Sequence, residues 1–598
     1  MMTNLISSSI EHKAALPYCY YDSTTKTIVL RVITTGEQAS GEQEIGALKL
    51  IYGDPHEWEK GAERVYVWRF QEKPLYPQSI GASKTVWQVE IPLPQQRRLK
   101  YAFLIKTASG DWYFSENGLE PSSSEAVNRP HNHFFYPFIY ESEAPSQPAW
   151  VEQTVWYQIF PERFCKGKPA LSQSALEDWE TGTNYRSFFG GDLSGIIQKL
   201  PYLTQLGITG IYLTPVFQAP SAHKYDTQDY FTVDEQFGTL SDLKELVAQA
   251  HSKGIKIMLD AVFNHCGETH PFWQDVLKNQ ECSVYRNYFY IQSFPVKERY
   301  AAHEKVPYAT FGFTRMPKWN TENPQVRSYL LEVSAYWIRE CDLDGWRLDV
   351  ANEVSLEFWH DFSHQVRTLK KDFYITGEVW HDASNWINRR LFDAAMNYPL
   401  GALIVDYFIK KTVSATQFSD RLITLLARYS DLHNRLAFNL FDSHDTDRIL
   451  TRAGGDKVAV RNAFTLLFLL PGSPCLYYGT EIGMEGGQDP DNRRPMVWDE
   501  AKQDKDLFQF FQRLIALRKK YHDLIVSGTL EYVPLESLHC WRIANAKQSL
   551  RLVYAEAERV PLSVHDETVV FTTGDDSSGL FMPYTLKVYH SAHSAHKS

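Results

Sequence analysis

The 598 residues include 43% hydrophobic and 22% charged side chains, a globular balance with material for a large core. This excludes a disordered chain, a collagen and a small disulfide scaffold; at about 150 residues per domain the length allows three or four domains. A net charge of −11 with no long basic run disfavours nucleic-acid binding and a polybasic membrane contact.

The chain opens Met-Met-Thr-Asn-Leu-Ile-Ser-Ser-Ser, with no basic start leading into an apolar stretch, so no signal peptide is expected. No run of about 18 apolar residues occurs, so no membrane span is expected. The seven cysteines are scattered without a Cys-x-x-Cys pair, which suits free thiols in a reducing cytoplasm. Leu48–Tyr52 and Trp87–Leu93 approximate period-two alternation, and residues 1–125 read as an N-terminal β-sandwich. The segment 126–152, within a stretch rich in Ser, Pro and Asn, reads as a linker.

From residue 153 short apolar runs alternate with helical segments. Ser241 can cap a helix with Leu243, Leu246, Val247 and Ala250 on one face; Gly254 ends it, and Ile257–Asp260 reads as a buried strand. Pro324 opens a helix carrying Val326, Leu330, Val333 and Trp337, followed by Asp344-Gly345 and the strand Trp346–Asp349. Eight such strands fall near 154–160, 209–214, 256–261, 345–350, 373–378, 393–397, 436–441 and 474–478. This predicts an α/β fold: a (β/α)8 TIM barrel over 153–525, with an insertion at 266–322, and a C-terminal β-sandwich over 526–598. An open doubly wound sheet would want a Gly-rich phosphate turn after its first strand, and none is present. The His590/His593/His596 tail reads as a frayed end rather than a metal site.

Four strand ends carry acids: Asp260, Asp349, Glu378 and Asp445. Asp349 and Glu378 stand one βα unit of about 30 residues apart, and Glu378 and Asp445 two units. Asp260 and Asp349 are separated by about 50 residues more than one unit needs, which marks the insertion as a loop shaping a site. In a barrel these ends converge on one face, where ionised groups kept for structure alone would be costly. Paired carboxylates with neighbouring His and Arg match glycoside hydrolysis, one attacking the sugar carbon and one protonating the leaving oxygen. Glu378 lies among Ile375, Val379 and Trp380, an apolar setting suited to the proton donor, while Arg347 is expected to keep Asp349 ionised.

Around these acids the sequence resembles glycoside hydrolase family 13, the α-amylase family, over nearly the whole chain. Asp260-Ala-Val-Phe-Asn264-His265, Gly345-Trp-Arg347-Leu-Asp349-Val-Ala-Asn352-Glu353, Gly377-Glu378-Val-Trp380 and Phe441-Asp-Ser-His444-Asp445-Thr446 match its four motifs in order. The resemblance implies Asp349 as nucleophile, Glu378 as general acid/base and Asp445 as transition-state stabiliser. It implies that Arg347, His265 and His444 bind the same sugar, and that His223-Lys-Tyr225-Asp226 is the loop that stacks Tyr225 beneath it.

Val350-Ala-Asn352-Glu353, Met316-Pro-Lys-Trp-Asn320, Val155–Phe164 and Met484–Met496 resemble the neopullulanase, cyclomaltodextrinase and maltogenic amylase group. That resemblance implies Asp489 and Arg493 at the non-reducing-side subsites, Trp380 stacking on the leaving-group side, and Asn352 and Glu353 beside the acceptor. It also implies an oligosaccharide substrate and a homodimer through the N-terminal domain, with Trp58, Trp68 and Trp112 as candidate anchors or sandwich core. An α-glucosidase or oligo-1,6-glucosidase on the same fold would lack the long N-terminal β region; a silent carbohydrate-binding scaffold would have lost the carboxylates. Trp319 and Thr480 depart from the group, standing where Leu and Asp are usual, and either is expected to alter subsite shape. The group's calcium loop is replaced by Cys165-Lys-Gly-Lys-Pro-Ala-Leu-Ser, which offers no carboxylate or Asn, so no metal or cofactor is expected.

Overall fold

The structure, a computed structural model, describes all residues except 1–9, 37–44, 61–65, 130, 145–147, 169–175, 313, 536–537, 557–567, 575–581 and 593–598. The replaced calcium loop therefore lies partly, and His593 and His596 wholly, outside the described residues.

The eight expected barrel strands form. They run Trp156–Ile159, Gly210–Leu213, Lys256–Ala261, Gly345–Leu348, Tyr374–Gly377, Ala394–Ala395, Phe438–Asn439 and Ser473–Tyr477. Consecutive strands pair in parallel from the first to the sixth, the eighth pairs with both the first and the seventh, and a parallel bridge from Met396 to Phe438 closes the ring. Trp156, Tyr212, Met258, Tyr374, Met396 and Phe438 pack together, so the barrel is a filled core and its site lies at the rim. The helix before the third strand is Leu240–Ser252. Its cap is Thr239, not Ser241: Thr239 and Asp242 form a reciprocal capping box that satisfies the first turn two residues earlier. The insertion folds back as an antiparallel bridge between His265 and Lys318 and packs Trp273, Phe289 and Trp319 against one another.

The contacts divide the chain into two compact units, 147–410 with 435–522 and the remainder, rather than into three successive domains. In the second of these, strands Tyr76–Ile80 and Thr529–Leu535 pair in parallel, so N-terminal and C-terminal strands share one ten-stranded sheet. The helix Ala415–Ala427, expected within the barrel, belongs to this unit, where the Asp420 carboxylate accepts from the backbone and hydroxyl of Ser83. Part of the expected linker is also sheet: Phe134–Tyr136 pairs with Leu99–Tyr101, because Phe134 gains a buried place beside Tyr101 and Phe114.

Candidate active site

Every carboxylate of interest leaves the C-terminal end of a barrel strand. Asp260 ends the third, Asp349 follows the fourth, Glu378 the fifth and Asp445 the seventh. Arg347, 1% exposed, stands at their centre. Its Nη1 donates to Asp349 Oδ1 at 2.8 Å and to both oxygens of Asp260 at 3.0 Å, and its Nη2 ion-pairs with Glu378 Oε2 at 3.0 Å. One guanidinium thus gathers three buried carboxyls.

Arg347 favours the ionised form of Asp349, and burial and two neighbouring carboxyls oppose it. Burial pushes the Asp349 carboxyl well above its ordinary range; Arg347 opposes this, and the neighbouring Glu378 and Asp260 add to it. Asp260 is raised by burial too, against Arg347 and the two tyrosines that bond it. Of the apolar sequence neighbours of Glu378, Trp380 meets it through its polar indole N–H. Besides Arg347, Glu378 accepts from the Val350 backbone N–H at 2.9 Å and from the Trp380 indole at 3.0 Å. Asp349 Oδ2 is buried and has no hydrogen-bond partner among the protein atoms.

A second set of bonds runs across the barrel mouth. Tyr212 and Tyr225 both donate to Asp260 Oδ2, at 2.5 and 2.8 Å. The Tyr225 hydroxyl lies 2.6 Å from His444 Nε2, the two rings are nearly parallel at 7°, and His444 Nε2 lies 3.1 Å from Asp445 Oδ2. Arg493 reaches Asp445 at 3.4 Å and Asp489 at 3.1 Å, and its Nε donates to the His444 carbonyl. His223 accepts the Tyr225 backbone N–H; burial lowers its pKa to about 4, with Asp226 opposing and Arg493 adding. The Tyr225 loop is held from within by Lys224, whose buried Nζ bonds Asp234, Gln236 and the Ala219 carbonyl.

His265 is buried, lies against Phe311 at 5.0 Å and leaves Nε2 without a protein partner. Trp380 is half exposed and stacks on Tyr398 at 3.8 Å. A cavity of about 720 Å³ opens here, lined by Trp380, Tyr398, Asp445, Tyr185, Gln488 and Asp489. Asn352 and Glu353 stand outside this bonded cluster, exposed on the turn after Asp349, where Glu353 faces Lys318 at 3.4 Å.

The two departures from the group are buried away from the cavity. Trp319 stacks on Phe289 in the insertion, and Thr480 donates to Asp442 Oδ2 at 2.9 Å. Neither lines this cavity. Sequence reasoning missed Gln158, Tyr212 and Tyr398. For Gln158 a signal existed, a polar residue inside the otherwise apolar first strand; Tyr398 carries none.

A calcium ion does not suit the described residues around Asp192. That carboxylate already accepts backbone N–H bonds from Gly167 at 3.1 Å, Lys168 at 2.9 Å and Gly195 at 2.6 Å. Donors aimed at the same point repel a cation, and calcium needs about six to eight oxygens.

A closed parallel barrel with an arginine-centred carboxyl cluster at its C-terminal rim defines a glycoside hydrolase of the (β/α)8 type. Residues 158–528 match the family described as alpha amylase, catalytic domain, and residues 5–140 match alpha amylase, N-terminal ig-like domain. The chain is 46% identical over 522 residues to a cyclomaltodextrinase of Geobacillus thermopakistaniensis (strain MAS1), covering 86% of this chain and 85% of that one. It is 46% identical over 489 residues to an intracellular maltogenic amylase of Bacillus subtilis, covering 81% of each. A solved cyclomaltodextrinase structure superposes with a TM-score of 0.84 at 36% identity, covering 98% of this chain and all of the other. The chain belongs to the α-amylase family, glycoside hydrolase family 13, in the group of cyclomaltodextrinases, maltogenic amylases and neopullulanases.

Proposed function

We propose that this enzyme is a retaining hydrolase of α-1,4-glucosidic bonds in cyclomaltodextrins and short maltooligosaccharides, slower on pullulan and starch, with some transfer to sugar acceptors. The free Oδ2 of buried Asp349 supports this most directly: it is a carboxylate oxygen held in place with nothing bonded to it. In the reading proposed, Asp349 Oδ2 attacks the anomeric carbon while Glu378 protonates the leaving glycosidic oxygen. The covalent glucosyl-enzyme then yields to a water, or an acceptor hydroxyl, whose proton Glu378 takes up. Two carboxylates on the two terminal nitrogens of one guanidinium favour this over inversion, where the carboxyls stand about 6.5–9.5 Å apart. Asp445, His444, His265 and Arg493 would hold sugar hydroxyls as charge develops, and Tyr225 and Trp380 would offer faces to the rings. Rates on β-cyclodextrin, pullulan and soluble starch test the substrate range. Faster cleavage of starch than of cyclodextrin would overturn the restricted-site reading.

The same proposal includes a homodimer through the N-terminal region and a cytoplasmic location. Trp58 and Tyr66 are exposed there at 40% and 66%, while Trp68 is buried and Trp112 packs on the core. The seven cysteines are free, no described helix is long and apolar enough to cross a membrane, and the Bacillus subtilis relative is called intracellular. Removing residues 1–125 would strip the shared sheet of its strands, so Tyr66→Glu is the better variant. Sedimentation should show it shifted toward monomer, and an unchanged dimer would overturn the N-terminal interface.

A further inference from the structure

Gln158 sits in the first barrel strand, fully buried between apolar neighbours, and no role follows from its place in a motif. Its side-chain nitrogen lies 2.7 Å from His444 Nδ1. The other ring nitrogen, Nε2, faces the Tyr225 hydroxyl at 2.6 Å and Asp445 Oδ2 at 3.1 Å. The Tyr225 hydroxyl has one proton, and a carboxylate oxygen of Asp260 lies 2.8 Å away to receive it.

For a neutral ring these contacts admit one consistent proton order. If Nδ1 accepts from the Gln158 amide, the neutral ring carries its proton on Nε2. That N–H then points at the oxygens of Tyr225 and Asp445, and Tyr225 donates onward to Asp260. With the amide reversed, Nε2 would present a lone pair to the Asp445 carboxylate, and the single Tyr225 proton would have to serve both Nε2 and Asp260. A doubly protonated ring fits only the reversed amide, and burial beside Arg493 and Arg347 opposes that charge.

We infer that Gln158 is a positioning residue that holds His444 as the neutral Nε2–H tautomer, so that the ring is a hydrogen-bond donor toward Asp445, which lines the cavity, and Tyr225. This rests on the site reading proposed above. The groups facing His444 are Tyr225, Asp445, Arg347, Arg493, Glu378 and His223. Burial, Arg493 and Arg347 together keep the ring from charging, in line with the amide's orientation. Gln158 touches no position open to substrate and acts only through His444.

A double-mutant cycle with a pH profile tests it. Gln158→Met should lower kcat/KM about tenfold in wild type and have no effect in a His444→Asn background. Gln158→Glu replaces the donor by a carboxylate, which draws the neutral ring's proton to Nδ1. Its activity should survive at acid pH, where imidazolium still offers Nε2–H, and fall as pH rises through the histidine's titration. Equal losses from Gln158→Met in both backgrounds, or a Gln158→Glu profile that is the wild-type curve uniformly scaled, would overturn the inference. Should Gln158→Glu fail to fold, the cycle alone decides. Failure of the underlying site reading would show separately, as turnover retained by Asp349→Asn.

Discussion

The backbone N–H of Val350 donates to Glu378 Oε2 at 2.9 Å from a left-handed conformation, φ 44°. A β-branched residue there costs about 1–3 kcal/mol, and the turn holds because Asp349 before it and Ala351 after it are buried. The strained turn aims one hydrogen-bond donor at the carboxyl proposed as the proton donor. Val350→Gly relaxes the turn without removing the N–H. Steady-state kinetics should show kcat reduced about three- to tenfold, with little change in KM, because Glu378 loses its orientation rather than its chemistry.

Asp349→Asn and Glu378→Gln should each lower kcat about a thousandfold or more with the fold intact. The two roles predict opposite costs for stability and rate in Asp349→Asn. A carboxyl whose folded pKa is raised destabilises the fold as pH rises above its unfolded value, near 4. Removing it should leave Tm at or above wild type at pH 7, with the difference vanishing toward pH 4. A variant clearly less stable than wild type at pH 7 would contradict a raised Asp349 pKa.

At the opposite end of the barrel, Asp344 accepts from His251, Lys256, Lys370 and the Ile257 N–H. Burial alone would raise its pKa, but the His251 and Ile257 bonds and the charge of Lys370 hold it at about 2. A lowered carboxyl contributes stability that is complete above the unfolded value and is lost as pH falls through the folded one. Asp344→Asn should therefore cost about 2 kcal/mol at pH 7, and the gap to wild type should close between about pH 4 and 2. Thermal unfolding of both proteins across that range measures it.

The Asp192 carboxylate filled by three backbone N–H groups predicts indifference to calcium. Tm and activity should be the same in EDTA and in millimolar calcium. Asp192→Ala should lower Tm by loosening the start of the helix Leu193–Leu206, since loss of an N-cap side chain costs about 1 kcal/mol. A calcium-dependent rise in Tm would overturn the predicted indifference.

Strand placement and the acids at the strand ends were legible because a buried parallel strand needs a short apolar run, and a barrel brings every strand's C-terminal end to one rim. The helix start at Thr239 rather than Ser241 shows the limit of such reading: both residues can cap, and the partner that decided was Asp242. The parallel pairing of Tyr76–Ile80 with Thr529–Leu535 left no trace in either segment, since a strand's partner is not encoded in its own alternation.

The sequence by itself determined the barrel, the identity of the acids and the family to which they belong, because these depend on residue type and spacing along the chain. Only the tertiary structure decided the electrostatics. It showed Asp349 sharing Arg347 with Asp260 and Glu378, Glu378 held by donors from Arg347, Val350 and Trp380, and Gln158 behind His444. A charge's state depends on what surrounds it within a few ångströms, and those neighbours come from strands distant in the chain.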